Sequence, residues 1–324
     1  MSGWSNFIIG LIIITAGAEL MLRGSAKIAI LLGIRPIVIG LTVISIGTSF
    51  PELAVGLTAI KDGAEDMAIG NIAGTNLANI LFILGLSAAI RPLSLHIKAI
   101  KFEILVMIFT AFFLIIVCID GFLSFTDGLL MLLLGILYII ILIKRSKNES
   151  QAIQKEYNEE YHLKSSTSKN IYIWVRNLLF ILIGIFGTIW GADLLVSGAI
   201  LIAREFGMSD AVIGLTVIAV GTSAPELVTT LVATYKNDRD VAVGNLLGSS
   251  ITNILIILAV TVLFVPNGIT VNKNILWFDL PLAAFVAIAC YPVFKSDQKI
   301  SRLEGIVFVC SYVLYLSVLL YYRT

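Results

Sequence analysis

The chain has 324 residues, of which 58% are hydrophobic and only 13% are charged. Soluble domains are about 25% charged, so this composition excludes a soluble globular protein and predicts an integral membrane protein surrounded by lipid. The formal net charge is +1, which gives no reason to expect a nucleic-acid partner. His96 and His162 lie in polar connections and the three cysteines show no metal-ligand spacing, so we expect no enzyme activity that depends on them.

Ten apolar segments are long enough to cross a bilayer, which takes about 20 residues of α-helix. They lie at residues 6–30, 36–60, 66–90, 100–119, 124–143, 172–202, 210–235, 241–265, 274–293 and 303–321. The N-terminus has no basic segment typical of a signal peptide, so the first span is predicted to be retained. A polar stretch, residues 144–171, divides the spans five and five. The prediction is an all-α polytopic membrane protein with two five-helix halves, residues 1–143 and 172–324.

The two halves share a sequence repeat. Residues n and n+174 are identical in 32 of the 68 pairs between Gly17 and Leu84, without a gap. Because each half holds five helices, an odd number, the second half must enter the bilayer from the opposite face. We therefore expect an inverted-topology repeat, which is the architecture of many secondary transporters.

The distribution of lysine and arginine predicts the orientation of the chain. Of the 22 such residues, eighteen lie on the side of the odd-numbered connections and four on the other side. Cytoplasmic loops carry the excess of positive charge. The loop at 144–171 is therefore predicted to be cytoplasmic, with both termini outside.

One motif occurs in the second span of each half, as GTSFPEL at residues 47–53 and GTSAPEL at residues 221–227. Proline has no N–H and crowds the carbonyl four residues earlier, so helices 2 and 7 are predicted to break. The residues expected to break them are Gly47, Pro51, Gly221 and Pro225. An ionisable residue at membrane depth indicates a functional site. The candidate ligands in the two motifs are Glu52, Glu226, Thr48, Ser49, Thr222 and Ser223.

A second polar segment follows in the third span of each half, as GNIAGTNLAN at residues 70–79 and GNLLGSSITN at residues 244–253. Thr75 and Asn79 are four residues apart and share a helix face, and Ser249 and Asn253 repeat the pair. Oxygen ligands of this kind suit calcium, sodium or protons rather than soft metals.

The charge of the predicted site limits which ions it can transport. Glu52 and Glu226 together carry a charge of about −2 when ionised, which one calcium ion, two sodium ions or two protons would neutralise. An empty charged site is poorly solvated in the membrane, so the site is expected to cross only when loaded. This favours obligatory exchange over a passive cation channel, which is the remote alternative.

Glu19 and Asp193 also correspond across the repeat, within spans 1 and 6. Glu19 lies one helical turn before Arg23, so a structural ion pair is the favoured interpretation. A role in transport is the alternative.

The duplicated GTSxPEL motifs, each followed by a GNxxGxxxxN segment, resemble the α-repeats of the calcium/cation antiporter superfamily, in particular its bacterial and archaeal sodium/calcium exchanger-like members. The resemblance covers essentially the whole chain. It implies a calcium-extruding antiporter of a prokaryotic plasma membrane that works by alternating access, with sliding of helices 1 and 6 and no cofactor beyond the transported ions. Glu52 and Glu226 are implied to bind calcium and sodium. The other ligands it implies are the four motif hydroxyls, the main-chain carbonyls of Ser45 and Ala219, and Thr75, Asn79, Ser249 and Asn253.

The chain departs from this pattern at one point. Several sodium-coupled members carry an aspartate at one of the positions held here by Asn79 and Asn253. Amides at both positions bring the site closer to the proton-coupled calcium exchangers of the superfamily, which is the alternative to sodium coupling. The sequence makes no prediction of oligomeric state.

Overall fold

A computed structural model describes residues 3–32, 34, 36–61, 65–94, 97–148, 171–207, 221–295 and 299–323. The α-helices are α1 (Gly3–Leu32), α2 (Pro36–Ile39), α3 (Ser45–Thr48), α4 (Phe50–Lys61), α5 (Glu65–Leu77), α6 (Gly85–Ile90), α7 (Ile97–Val117), α8 (Phe125–Asn148), α9 (Ile171–Glu205), α10 (Ala224–Tyr235), α11 (Arg239–Thr252), α12 (Ala259–Leu263), α13 (Leu280–Lys295) and α14 (Arg302–Arg323). The strands, of two residues each, are β1 (Leu93–Ser94), β2 (Phe122–Leu123), β3 (Ile269–Thr270) and β4 (Lys299–Ile300).

Within the described ranges, nine helical segments are long and apolar enough to cross a membrane. They correspond to nine of the ten predicted spans and confirm an all-α polytopic membrane protein. The described part of the seventh predicted span is α10, because residues 208–220 lie outside the described residues. Most of the predicted polar loop, residues 149–170, also lies outside them.

Among the described residues, four π-helical segments widen the long helices, which is common at functional sites. They are Gly40–Ile44, Ala78–Leu84, Asn253–Leu258 and Ile275–Asp279. The first joins α2 to α3, ahead of the first motif. The second and third continue α5 and α11 where the predicted amide ligands Asn79 and Asn253 stand. The second and third π-helical turns therefore coincide with predicted ligands of the site, whereas Ile275–Asp279 contains no predicted site residue.

In the part of the chain that the structure describes, two small sheets join connections at the helix ends. β1 pairs with β4 through Leu93 and Ile300, and β2 pairs with β3 through Phe122 and Thr270. In the ten-span numbering, β1 and β4 belong to the third and ninth connections, and β2 and β3 to the fourth and eighth. Odd connections therefore pair with odd ones and even with even, as alternate crossings of one membrane require.

The helices α1 and α9 contact each other backbone to backbone along a row of glycines. The row comprises Gly10, Gly17, Gly24, Gly184, Gly191 and Gly198. A Cβ atom on Gly10 would lie 2.4 Å from the main-chain nitrogen of Leu195, and one on Gly191 would lie 2.5 Å from that of Ile14. Small residues allow such close approach in membrane helices, so α1 and α9 form a closely packed pair.

The centre of the protein is formed by α11, in which every residue from Asp240 to Thr252 is buried. A helix that is buried on all sides cannot satisfy its polar side chains with solvent. The polar residues of this helix therefore mark the place where a site can be built.

Candidate functional site

The first GTSxPEL motif interrupts a helix at its serine, and in the second motif a helix begins directly after the serine. Ser49 has φ −86° and ψ 9° and separates α3 from α4, and Ser223 has the same angles immediately before α10. Pro51 and Pro225 fall in the first turn of the following helix, where a missing N–H costs no intrahelical hydrogen bond. Each motif thus tolerates its proline because a helix begins one residue before it.

The motif glycines allow α9 to approach both breaks. A Cβ atom on Gly47 would lie 2.7 Å from Ile185, and one on Gly221 would lie 2.4 Å from Val196. The long helix α9 therefore packs directly on both motifs, so a movement of α9 would change its contacts with both.

The two motif glutamates lie in the first turns of α4 and α10. Glu52 is 1% exposed and Glu226 is 0% exposed. The Ser49 hydroxyl, three residues before Glu52, donates a hydrogen bond of 3.2 Å to Glu226 Oε1. The structure therefore brings the motifs of the two halves together in one buried place.

Most of the carboxylate oxygens at this place lack a hydrogen-bond donor. Within the part of the chain that the structure describes, both oxygens of Glu52 and Oε2 of Glu226 have no hydrogen-bond partner. The positive end of each helix favours the negative charge, but a buried charge without a partner is strongly unfavourable. A bound cation or a proton on each carboxyl group would remove this cost.

The motif hydroxyls divide into bonded and unbonded groups. Thr48 Oγ1 lies 3.3 Å from the Ser45 carbonyl and 3.5 Å from Asn245 Oδ1. In the second motif, Thr222 is half-buried, whereas the buried Ser223 Oγ has no partner among the described residues. Ser223 is thus the motif hydroxyl most available to an ion.

Of the two predicted carbonyl ligands, the structure describes Ser45 only. The Ser45 carbonyl already accepts hydrogen bonds from the Ser49 N–H, at 3.2 Å, and from the Thr48 hydroxyl. It would have to give up one of these bonds to coordinate an ion. Ala219 lies outside the described residues.

The third-span candidates are all buried, on α5, α11 and the π-helical turns that follow. Thr75 is 3% exposed, and Asn79, Ser249 and Asn253 are fully buried. Among the described residues, Asn79 Nδ2 and Oδ1, Ser249 Oγ and Asn253 Oδ1 have no hydrogen-bond partner. Buried polar atoms are normally satisfied, so this group of unsatisfied oxygens also fits a cation.

The structure adds two amides that the sequence interpretation did not assign to the site. Asn76 Nδ2 donates to the Ser250 carbonyl at 3.1 Å. Asn245 Nδ2 donates to Thr230 Oγ1 at 3.2 Å, while its Oδ1 faces Thr48. Asn245 precedes Ser249 by four residues and so shares its helix face. Asn76 precedes Asn79 by three residues, which also places the two on one helix face, so the spacing was a readable signal for both amides.

Glu19 lies apart from this group. It forms ion pairs with Arg23 of the same helix and with Lys236, at the end of α10. The predicted pair with Arg23 is therefore present, and Lys236 extends it into a link between α1 and α10. Asp193, the counterpart of Glu19, is exposed on α9.

Known proteins resemble the chain over nearly its whole length. The profile of the sodium/calcium exchanger protein family matches residues 2–144 and 176–321. The putative antiporter CaxA of Alkalimonas amylolytica is 32% identical over 95% of each chain. The sodium/calcium exchanger MaX1 of Methanosarcina acetivorans is 31% identical over 98% of this chain and 99% of its own.

A solved structure agrees with these relatives. The sodium/calcium exchanger from Methanococcus jannaschii superposes with a TM-score of 0.81 at 33% identity and covers 97% of each chain. This protein belongs to the sodium/calcium exchanger family.

Proposed function

We propose that this protein is a secondary antiporter that exchanges calcium for sodium across the plasma membrane, in the direction of calcium efflux. The observation that carries the proposal is the pair of buried glutamates, Glu52 and Glu226, one from each half, together with the hydrogen bond from Ser49 of the first motif to Glu226 of the second. The family to which the chain belongs transports these two ions, and its members named above include a sodium/calcium exchanger. Calcium and sodium are the cargo, and the proposal requires no cofactor.

The charge of the site accounts for coupling. Two ionised glutamates are neutralised by one calcium ion or by two sodium ions, so the same site accepts either load. Crossing the membrane with the charges uncompensated would cost several kcal/mol even by the lower estimates for a charge at the bilayer centre. Exchange follows because the site returns only after it has bound the other ion.

We assign the alternating movement to an inverted repeat of residues 1–143 and 172–324, with breaks in helices 2 and 7. The repeated motifs, and the pairing of odd connections with odd and even with even, support this assignment. The close-packed pair α1 and α9 is the element that we expect to slide along the site, because α9 packs on both Gly47 and Gly221. The excess of lysine and arginine on one side supports a cytoplasmic loop at 144–171 and termini outside.

The amide pair Asn79 and Asn253 favours proton coupling as the second candidate, because no third carboxylate accompanies the two glutamates at these positions. The family relatives favour sodium. The two candidates differ in the ion gradient that drives calcium movement, so one flux experiment separates them.

The test uses the purified protein in liposomes loaded with sodium chloride and diluted into sodium-free buffer containing radioactive calcium. Sodium-driven calcium uptake is expected, and replacing internal sodium with a large organic cation should abolish it. The variant Glu226→Gln should not accumulate calcium. Uptake driven by a pH gradient and indifferent to sodium would establish proton exchange instead. Flux without any counter-ion would establish a channel.

The direction of transport requires a membrane of known sidedness. In everted vesicles the cytoplasmic face is outside, so calcium efflux in the cell appears as uptake into the vesicle. Sodium loaded into everted vesicles is expected to drive calcium inward. Uptake that occurs only in right-side-out vesicles would contradict efflux.

A further inference from the structure

A chain of two hydrogen bonds joins the third span of the first half to the eighth span. Asn76 lies on α5, is 8% exposed and stands one turn before Asn79. Its Nδ2 donates to the main-chain carbonyl of Ser250 at 3.1 Å. Its Oδ1 accepts a hydrogen bond of 3.4 Å from Asn253 Nδ2. One side chain therefore connects the main chain of α11 to a predicted ion ligand.

The direction of both bonds follows from the chemistry of the groups. A peptide carbonyl can only accept, so the amide nitrogen of Asn76 must face Ser250 and its oxygen must face Asn253. That oxygen can also only accept, so Asn253 must turn its own nitrogen toward Asn76. Hence the Asn253 oxygen points away from Asn76. It is buried, and no hydrogen-bond partner for it exists among the described residues.

We propose that Asn76 is a positioning residue that fixes the amide of Asn253 with its oxygen available to the transported ion. The proposal rests on the proposed function of the site. An amide coordinates a hard cation only through its oxygen, so an amide that is free to turn over would present its nitrogen part of the time. Asn79 provides the contrast, because neither of its amide atoms has a hydrogen-bond partner within the described ranges.

The proposal also explains why an amide suits position 253 in this protein. An ionised aspartate there would place a carboxylate oxygen against Asn76 Oδ1, so that two acceptors would face each other without a proton. Asn76 cannot relieve this by turning over, because its oxygen would then face the Ser250 carbonyl. Asn76 and Asn253 are therefore matched to each other.

The test is calcium binding to the purified protein in detergent, measured with radioactive calcium at equilibrium. The variant Asn76→Ser places at position 76 the residue that the repeat carries at position 250. Ser250 Oγ donates to the Leu246 carbonyl of its own helix, so a serine at 76 is expected to bond its own helix and release Asn253. Calcium binding should weaken about tenfold, the size of one net hydrogen bond.

A double-mutant cycle distinguishes orientation from packing. In the Asn253→Asp background, the carboxylate presents an oxygen to the ion whichever way it turns. There, Asn76→Ser should change the calcium dissociation constant less than about twofold or lower it, a fold-change far below one net hydrogen bond. An equal loss of affinity in both backgrounds would overturn the proposal.

Thr110→Val is the matched control, because Thr110 is a fully buried hydroxyl that bonds the Met107 carbonyl of its own helix. It should leave calcium binding unchanged. Asn76→Ala serves as the second variant. The proposal gives Asn76 no role beyond orienting Asn253, so failure of both Asn76 variants to fold would also overturn it. If the wild type binds calcium but shows no sodium-driven uptake, the exchange function is contradicted. The double-mutant cycle still tests the role of Asn76, because it measures binding alone.

Discussion

The charge of Glu52 should matter more for calcium than for sodium, and by a calculable ratio. Two unit charges about 4 Å apart interact by about 4 kcal/mol at an effective dielectric constant of about 20. Removing one carboxylate charge therefore removes about 8 kcal/mol of attraction for calcium and about 4 kcal/mol for sodium. In Glu52→Gln the amide oxygen remains a ligand and recovers part of this energy. If half is recovered, calcium binding weakens about a thousandfold and sodium binding about thirtyfold.

The ratio is more informative than either loss alone, since the dielectric constant enters both energies in the same way. We expect the loss of binding free energy for calcium to be about twice that for sodium, as measured by calorimetric titration of each ion in the absence of the other. Asp193→Asn is the control, because it also removes one negative charge from a membrane helix but at an exposed position. Calcium affinity within tenfold of the wild type, or equal losses for the two ions, would refute the reasoning.

Two further predictions concern stability. Gly191→Ala places a Cβ atom 2.5 Å from a main-chain nitrogen of α1, so it should lower the thermal unfolding temperature through a strain of about 1–3 kcal/mol. Gly74→Ala, where no atom lies within 4 Å of the added Cβ, should not lower it, and an equal fall in both variants would contradict the close contact of α1 and α9. Burial raises the pKa of Asp238, Lys236 opposes the rise and Glu19 adds to it. The folded state therefore binds this proton more readily than the unfolded chain, so its contribution to stability is full at low pH and is lost as the pH rises through the folded-state pKa. Asp238→Asn should remove this part of the pH dependence of the unfolding temperature, and an unchanged pH profile would argue against it.

The sequence located the membrane-spanning helices correctly because their signals are local. Apolar runs of about 20 residues identify spans wherever they occur, and nine of the ten predicted spans have membrane-length helices in the described part of the chain. Proline and glycine act on their own helix turn, so the interruption at Ser49 could be read from the motif. The repeat doubled each of these signals and showed that Glu52 and Glu226 are counterparts.

The row of glycines between α1 and α9 is a feature that the sequence predicted only in part. Each of the two helices carries glycines seven residues apart, such as Gly10 and Gly17 or Gly184 and Gly191. That spacing places the glycines on one face of their own helix, but it does not say which helix packs there. The structure showed that the two faces meet each other, and that α9 also packs on both motifs.

The sequence by itself determined the membrane class and the sequence repeat at a spacing of 174 residues, and it predicted the side chains of the candidate site. Only the tertiary structure decided how those side chains are paired: Ser49 with Glu226, Thr48 beside Asn245, and Asn76 between Ser250 and Asn253. The reason is physical. Periodicity reports which residues share a face of one helix, whereas these pairs join residues 174 to 197 positions apart, and their hydrogen bonds exist only after the helices of the two halves have packed.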